Sequence, residues 1–443
     1  MARRGKEKRL AVWMNGELVG WWSVNRQAVH EFRYSESWLA SPYMRPISLS
    51  MPLQPPSEVY KGDVVEFFFE NLLPNNIDIR RRIQYRFGTS STQAFELLEE
   101  IGRDCVGAVQ LLPPDSPPST VKVITGESLA EADVAEELRI TRLPHLSRHA
   151  DDEFRISLAG AQEKTALLFH NGKWHIPLGS TPSTHIFKLP LGVIGRGQID
   201  LTTSVENEWL CSKILNAYGV RCAESKIEQF EDEKALVVKR FDRRFSSDKS
   251  WWLRLPQEDM CQATGTPPDM RYESEGGPGI LSIMKLLLGS RTALNDRLEF
   301  FKLQVLFWML AAIDGHAKNF SIFIKPRGRF SLTPAYDVLS AYPVMGHSSD
   351  KLPPEKVRMA MAIHGKNRHY RWQSICARHW IRTAELAGLD AERAREIMRE
   401  LAENTGEVID TVAAQLPADF PPVVADSIFK GLRHTAKRLT VSD

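Results

Sequence analysis

The period of the apolar residues changes near Phe241, and that change limits the folds open to the chain. On its amino-terminal side, Phe154–Leu158, Thr165–His170, Trp174–Pro177, Thr184–Lys188 and Lys234–Phe241 are short strand-like runs separated by turns. On its carboxy-terminal side, Gly279–Leu288, Ala293–Ile313, Trp372–Leu386 and Asp390–Leu416 carry apolar residues at i, i+3, i+4, i+7 spacing, which predicts helices. One helix, Asn207–Tyr218, interrupts the strands. The chain opens with strands as well, because Leu10–Met14 and Glu17–Trp22 flank Asn15-Gly16. Both central positions of such a tight hairpin need positive φ, which Asn and Gly tolerate. Val64–Leu73 and Gln93–Ile101 read as helices, and Val106–Leu112 as a strand. Pro113–Ser119 is rich in proline and serine and reads as a linker, followed by an acidic helix at Ser128–Arg139.

The expected class is α+β. Residues 1–112 form an extra amino-terminal domain, 113–150 a linker and helix, 151–241 a β-rich lobe and 242–443 an all-helical lobe. Composition agrees with a globular chain that can bury a sizeable core: 43% of residues are hydrophobic and 25% charged. A net charge of only +2 sets up no global field for nucleic acid or membrane. The five cysteines, Cys105, Cys211, Cys222, Cys261 and Cys376, include no C-x-x-C pair, so small buried thiols in a cytoplasmic protein are expected. The start of the chain lacks an apolar stretch of signal-peptide length, and Phe300–Ile313, interrupted by Lys302 and Gln304, is too short to span a bilayer. No membrane partner is expected.

The most informative segment is Asp314-Gly-His-Ala-Lys-Asn319, directly after the apolar helix. An aspartate and an asparagine five residues apart are the spacing of a kinase catalytic loop. There the aspartate takes or orients the proton of the attacking hydroxyl, and the asparagine amide oxygen binds magnesium. Eighteen residues beyond Asn319 comes Asp337, after a predicted hairpin of Phe320–Lys325, a turn at Pro326–Gly328 and Phe330–Leu332. That hairpin returns Asp337 towards Asp314. Two carboxylates and an amide oxygen suit a hard cation such as magnesium. Asp337 is followed by Val-Leu, so the Phe-Gly pair of ordinary kinases is absent. Taken with the order of lobes, this points to a protein-kinase-like fold, although many α+β enzymes share that order.

Upstream, Ser157-Leu-Ala-Gly-Ala-Gln-Glu-Lys164 has small residues at Ala159, Gly160 and Ala161 that let a backbone approach phosphate. A tight β-hairpin is an equal reading of it. Lys188 ends an apolar strand and is placed to reach phosphates, and either Glu206 or Glu208 on the following helix is placed to pair with it. Lys239-Arg240-Phe241 sits where a kinase hinge would bind adenine through backbone groups.

With these residues assembled, the chain closely resembles the HipA family. The matching stretches are Ser48-Leu-Ser-Met-Pro-Leu53, Asn71-Leu-Leu-Pro74, Glu100-Ile-Gly-Arg-Asp-Cys-Val-Gly-Ala108, Phe154-Arg-Ile-Ser-Leu-Ala-Gly-Ala-Gln-Glu-Lys-Thr165, Arg254-Leu-Pro-Gln-Glu-Asp259, Glu275-Gly-Gly-Pro-Gly279, Asp314-Gly-His-Ala-Lys-Asn319 and Thr333-Pro-Ala-Tyr-Asp337. The resemblance implies a two-lobed kinase-like fold acting on ATP with Mg2+. Asp314 would be the catalytic base, and Asn319 and Asp337 would hold the metal. Lys188 would bind ATP phosphates, and Lys239, Arg240 and Phe241 the adenine. Ala159, Gly160, Ala161, Gln162, Glu163 and Lys164 would form the phosphate loop, and His316, Ala317 and Lys318 with Tyr336 would complete the site.

The resemblance further implies a toxin of a type II toxin–antitoxin system, a serine/threonine protein kinase that phosphorylates glutamyl-tRNA synthetase near its ATP site. Translation would stall and the cell become dormant and drug-tolerant. Ser157 would be an autophosphorylation site whose phosphate, of about −2 charge, is expelled from beside ATP and switches the enzyme off. A HipB-like helix-turn-helix antitoxin, binding operator DNA as a dimer, would carry the kinase as a corepressor in a heterotetramer. Two other functions fit the same residues: a non-catalytic corepressor with a vestigial pocket, and a small-molecule kinase. Lys366–Arg382, with its cationic residues interleaved with Tyr370, Trp372 and Trp380, reads either as a phosphate-contacting patch or as a solvated helix face.

Overall fold

The computed structural model describes residues 8–118, 121–142, 157–158, 162–195 and 199–440. They form two compact units. The first takes in Met1–Leu189, Glu228–Asp269 and Ser321–Phe330; the second takes in Pro190–Ile227, Met270–Phe320 and Ser331–Asp443.

In the first unit, β1 (Lys8–Met14), β2 (Glu17–Val24), β3 (His30–Tyr34), β4 (Tyr60–Lys61) and β5 (Val109–Leu112) make a sheet of order β4-β3-β2-β1-β5. The Asn15-Gly16 turn forms as expected, with φ of 49° and 88°. Helices Asp63–Glu70 and Ala94–Ile101 supply the core on this sheet. Trp22 lies stacked on Phe69 at 3.8 Å and tilted against Phe95 at 4.8 Å. A helix that periodicity did not reveal, Ile77–Phe87, follows: four arginines dilute its apolar stripe, and only its Asn76 cap and left-handed Gly88 mark its ends.

The chain continues through β6 (Gly126–Leu129), β7 (Lys164–His170), β8 (Lys173–Pro177) and β9 (His185–Lys188), a short ribbon of β10 (Gly192–Ile194) and β11 (Ile199–Leu201), then β12 (Ser225–Phe230) and β13 (Glu233–Lys239). The larger sheet has the order β12-β13-β9-β7-β8-β6. Helix Glu131–Arg142 buries Val134, Ala135 and Leu138 against Leu167, Phe187 and Val237 on one face of it. The stretch read as linker and helix therefore contributes an edge strand and a covering helix to this sheet. β6 is only Gly-Glu-Ser-Leu, too short to display alternation.

In the second unit, helix Ala293–Met309 is the core: Phe300, Phe301, Val305, Leu306, Phe307 and Trp308 are all buried. Helices Ser204–Ala217, Ala377–Leu386, Ala391–Glu403, Thr405–Ala413 and Pro422–Thr440 belong to the same unit. The helical character expected for 242–443 holds, but that stretch is not all helix. The anticipated hairpin forms from Ser321–Ile324 and Phe330–Leu332, and Arg358–His364 pairs with Arg368–Arg371. A short apolar run such as Met359–Ile363 looks alike in a strand and in a buried helix, and periodicity does not separate them. No described helix is long and apolar enough to cross a membrane.

Candidate active site

Asp314 is positioned by the end of helix Ala293–Met309, whose last carbonyls need donors from elsewhere. The segment that carries Asp337 supplies several. Ser340 Oγ donates to Leu310 O at 2.6 Å, Tyr342 Oη to Met309 O at 2.8 Å and Ala341 N to Ala311 O at 2.9 Å. Thr435 Oγ1 adds a bond to Met309 O at 2.9 Å. At the helix start, Asp296 accepts from Leu332 N at 3.0 Å, just before the same segment. Both ends of the helix thus fix the strand-to-loop stretch that returns Asp337 to Asp314.

Asn319 joins the two loops. Its Nδ2 donates to the backbone oxygen of Asp314 at 3.0 Å and to that of Asp337 at 3.5 Å. Both partners are acceptors only, so the amide nitrogen must face them and Oδ1 must face away. That orientation leaves Oδ1 as an amide oxygen of the kind that magnesium accepts as a ligand. Asp337 adopts φ +59°, a left-handed backbone tolerated by Asp better than by most residues and often found where a site holds strain. Gly315 leaves no room for a side chain, since a Cβ there would lie 2.4 Å from Phe307 Cδ1.

Tyr272, which sequence reading missed, donates its phenol to Asp314 Oδ1 at 2.5 Å and meets His316 edge-on at 5.1 Å. Burial, then the charge of Asp314, pushes the phenol well above its ordinary pKa, so it remains a donor. Burial lowers the His316 pKa against the opposing charges of Asp314 and Asp337, which leaves a neutral imidazole. Its buried Nδ1 has no partner among the described residues. Tyr336 Oη donates to Lys318 O at 2.8 Å, and Ala317 and Lys318 are buried with Asn319. The clue to Tyr272 was the glycine run Gly276–Gly279: a Cβ on Gly277 would lie 1.9 Å from Met270 O, and one on Gly279 2.1 Å from Glu273 Cδ. Those glycines fold the Tyr272 loop tightly on itself.

In the first unit, Lys164 on β7 and Lys188 on β9 are direct cross-strand partners, and Lys188 also faces Leu236 on β13. Both lysines lie on the face opposite helix Glu131–Arg142, since Phe187 and Leu167 take the other. Gln162 Nε2 donates to Leu189 O at 2.6 Å, and Leu189 N donates to Glu163 O at 3.2 Å. Ala159, Gly160 and Ala161 lie outside the described residues. Glu206 and Glu208 are both buried on helix Ser204–Ala217.

Two expected site residues have other commitments. Ser157 is fully buried; its Oγ donates to Leu72 O at 2.8 Å and its N–H to Asp104 O at 3.2 Å. Arg240 sits in an ionic cluster, donating to Asp242 at 2.8 Å, Ser183 Oγ at 2.9 Å and Cys105 O at 2.8 Å, while its backbone N–H donates to Thr184 O at 2.9 Å. Its side chain and amide N–H are therefore held within the protein. In Lys366–Arg382 the aromatic residues Trp372 and Trp380 are core, with Trp372 Nε1 donating to Trp308 O at 2.8 Å. Arg438, from outside that stretch, lies over the Trp372 ring at 5.6 Å.

The HipA N-terminal domain model matches residues 10–112, and the HipA-like C-terminal domain model matches 156–409. The chain is 32% identical over 409 residues to the Sinorhizobium fredii protein named "Putative kinase Y4mE", covering 91% of each. It is 28% identical over 351 residues to the serine/threonine-protein kinase toxin HipA of Shewanella oneidensis, covering 75% of this chain and 74% of that one. The solved complex of Shewanella oneidensis HipA, HipB and operator DNA contains a chain of the same fold, with a TM-score of 0.79 and 24% identity over 97% of each chain. With both domains present in order and such relatives along most of its length, this chain belongs to the HipA family of serine/threonine kinase toxins.

Proposed function

We propose that the chain is an ATP- and magnesium-dependent serine/threonine protein kinase, with Asp314 as its base. The observation that carries this reading is the Asn319 amide bridging the backbones of Asp314 and Asp337. It brings base and metal ligands together while turning the asparagine oxygen outwards. Tyr272 holds Asp314 Oδ1, which leaves Oδ2 to accept the proton of the attacking hydroxyl. Asn319 and Asp337 would hold magnesium, which when bound neutralises the triphosphate. Lys164 and Lys188 attract the phosphates, and Gln162 and Glu163 flank them. His316, Ala317, Lys318 and Tyr336 shape the site, with the backbone of Lys239, Arg240 and Phe241 at the adenine.

The family likeness supports a toxin acting in the cytoplasm on glutamyl-tRNA synthetase. It also supports a HipB-like antitoxin dimer that joins it in a heterotetramer on operator DNA. Ser157 is the proposed self-phosphorylation site. Its burial against Leu72 means that accepting a phosphoryl group requires it to leave that position, and a phosphoserine of about −2 charge has no room to return.

The test is incorporation of label from γ-labelled ATP by the full chain with Mg2+ and purified glutamyl-tRNA synthetase. Label on a synthetase serine and on Ser157, both absent in Asp314→Asn, is expected. Label on Ser157 alone would discard the synthetase as target. No label anywhere would favour a non-catalytic corepressor.

A further inference from the structure

Helix Ile77–Phe87 packs only Ile83 and Phe87 against the core of its domain, and none of its residues is fully buried. Its charges are nonetheless placed with care. Arg80 anchors the helix, pairing with Glu70 at 2.7 Å and donating from Nε to Pro74 O at 2.6 Å. Two residues on, Arg82 pairs with Glu163 at 2.5 Å, across 81 positions of sequence, with the two side chains only 27% and 33% exposed. Glu163 is tied through its carbonyl to Leu189 N and precedes Lys164, the residue opposite Lys188. The other flank, Ser157, is held by Leu72 O and Asp104 O. Residues 157 and 163 are thus both fastened by residues of the amino-terminal domain, 8–112. A cavity of about 130 Å³ between them is lined by Ile83, Arg86 and Phe87 of the helix and by Leu158 and Lys164.

We propose that Arg82 is a positioning residue that acts through Glu163, so that the amino-terminal domain latches the phosphate-binding strand in place and sets the affinity for nucleotide. This rests on the kinase reading for its consequence but not for its geometry. A partly buried ion pair that fixes a loop favours the ordered, binding-competent form. Breaking it lets other forms compete and lowers apparent affinity in proportion to their population.

The test uses the full chain with Arg82→Glu, Glu163→Arg and the double reversal. Two quantities are read: hydrogen–deuterium exchange in peptides covering 162–165 and 187–191, and KM for ATP against kcat. Each single reversal should speed exchange in both peptides, and Arg82→Glu, which lies outside the nucleotide site, should raise KM about two- to fivefold with kcat little changed, as expected for a pair of this exposure. The double reversal should restore both. Unaltered exchange and KM in the single reversals, or no rescue in the double, overturns the latch. A wild-type chain that transfers no phosphate would defeat the kinase reading while exchange still decides the latch.

Discussion

Two clusters of aspartates in this molecule have opposite electrostatics. In the first unit, Asp104 and Asp242 are buried among Arg240, Arg243 and Arg254, with Asp104 Oδ1 2.9 Å from Arg243 Nη2 and Asp242 Oδ2 2.8 Å from Arg240 Nη2. Burial alone would raise the Asp104 pKa, but the three arginines outweigh it and hold the carboxyl far below the usual range. The backbone completes the cluster: Gly107 N donates to Asp242 at 2.7 Å, and Gly107 O accepts from Arg243 at 2.6 Å. In the second unit, Asp314 meets a neutral phenol instead of a guanidinium. The lesson is that a buried aspartate surrounded by arginines is a structural joint, whereas an exposed one held by a neutral donor is open to a proton or a cation.

Four substitutions would break or sharpen that contrast. Asp314→Asn removes only the proton acceptor, so kcat should fall by about 10²- to 10⁴-fold with the thermal midpoint nearly unchanged; undiminished turnover would sink the assignment. Asp104→Asn should do the reverse. It leaves three buried guanidinium groups short of a counter-charge, at a cost of about 3–5 kcal/mol in denaturant unfolding. A loss below about 1 kcal/mol would mean that Asp242 and the carbonyls suffice.

Glu258 supplies an intermediate case. It is fully buried without an arginine; Leu49 N donates to its Oε1 at 2.9 Å, and burial pushes its pKa up to about 8. Unfolded, such a carboxyl ionises near pH 4.5. The folded form therefore loses stability as pH climbs from there to about 8, and keeps the protonated group's contribution below it. Glu258→Gln should flatten that slope in unfolding curves between pH 5 and 8 (about the window set by the two values); an unchanged slope would contradict it. The smallest effect belongs to Tyr272→Phe. It removes one hydrogen bond from Asp314 and should lower kcat about five- to tenfold, roughly 1–1.5 kcal/mol, with KM for ATP unmoved.

Much of this was legible in the sequence where a residue's chemistry and spacing act locally. Asn15-Gly16 forced a hairpin, the run around Phe300–Trp308 gave the core helix, and the spacing Asp314, Asn319, Asp337 brought three residues together. What stayed hidden depends on contacts distant in sequence. Helix Ile77–Phe87 has too many arginines to show a stripe, and the partner of one of them lies 81 residues away. The ion pair of Arg240 with Asp104 spans 136 residues. Tyr272 lies 42 residues before the aspartate it supports, signalled only by the glycines that fold its loop.

The most direct measurement is the magnesium dependence of ATP binding by calorimetry, in the full chain and in Asp337→Ala and Asn319→Leu. Affinity should rise with Mg2+ in the natural chain, and that increment should vanish in both variants while metal-free binding persists. An increment of the same size in either variant would mean that these oxygens do not share a cation.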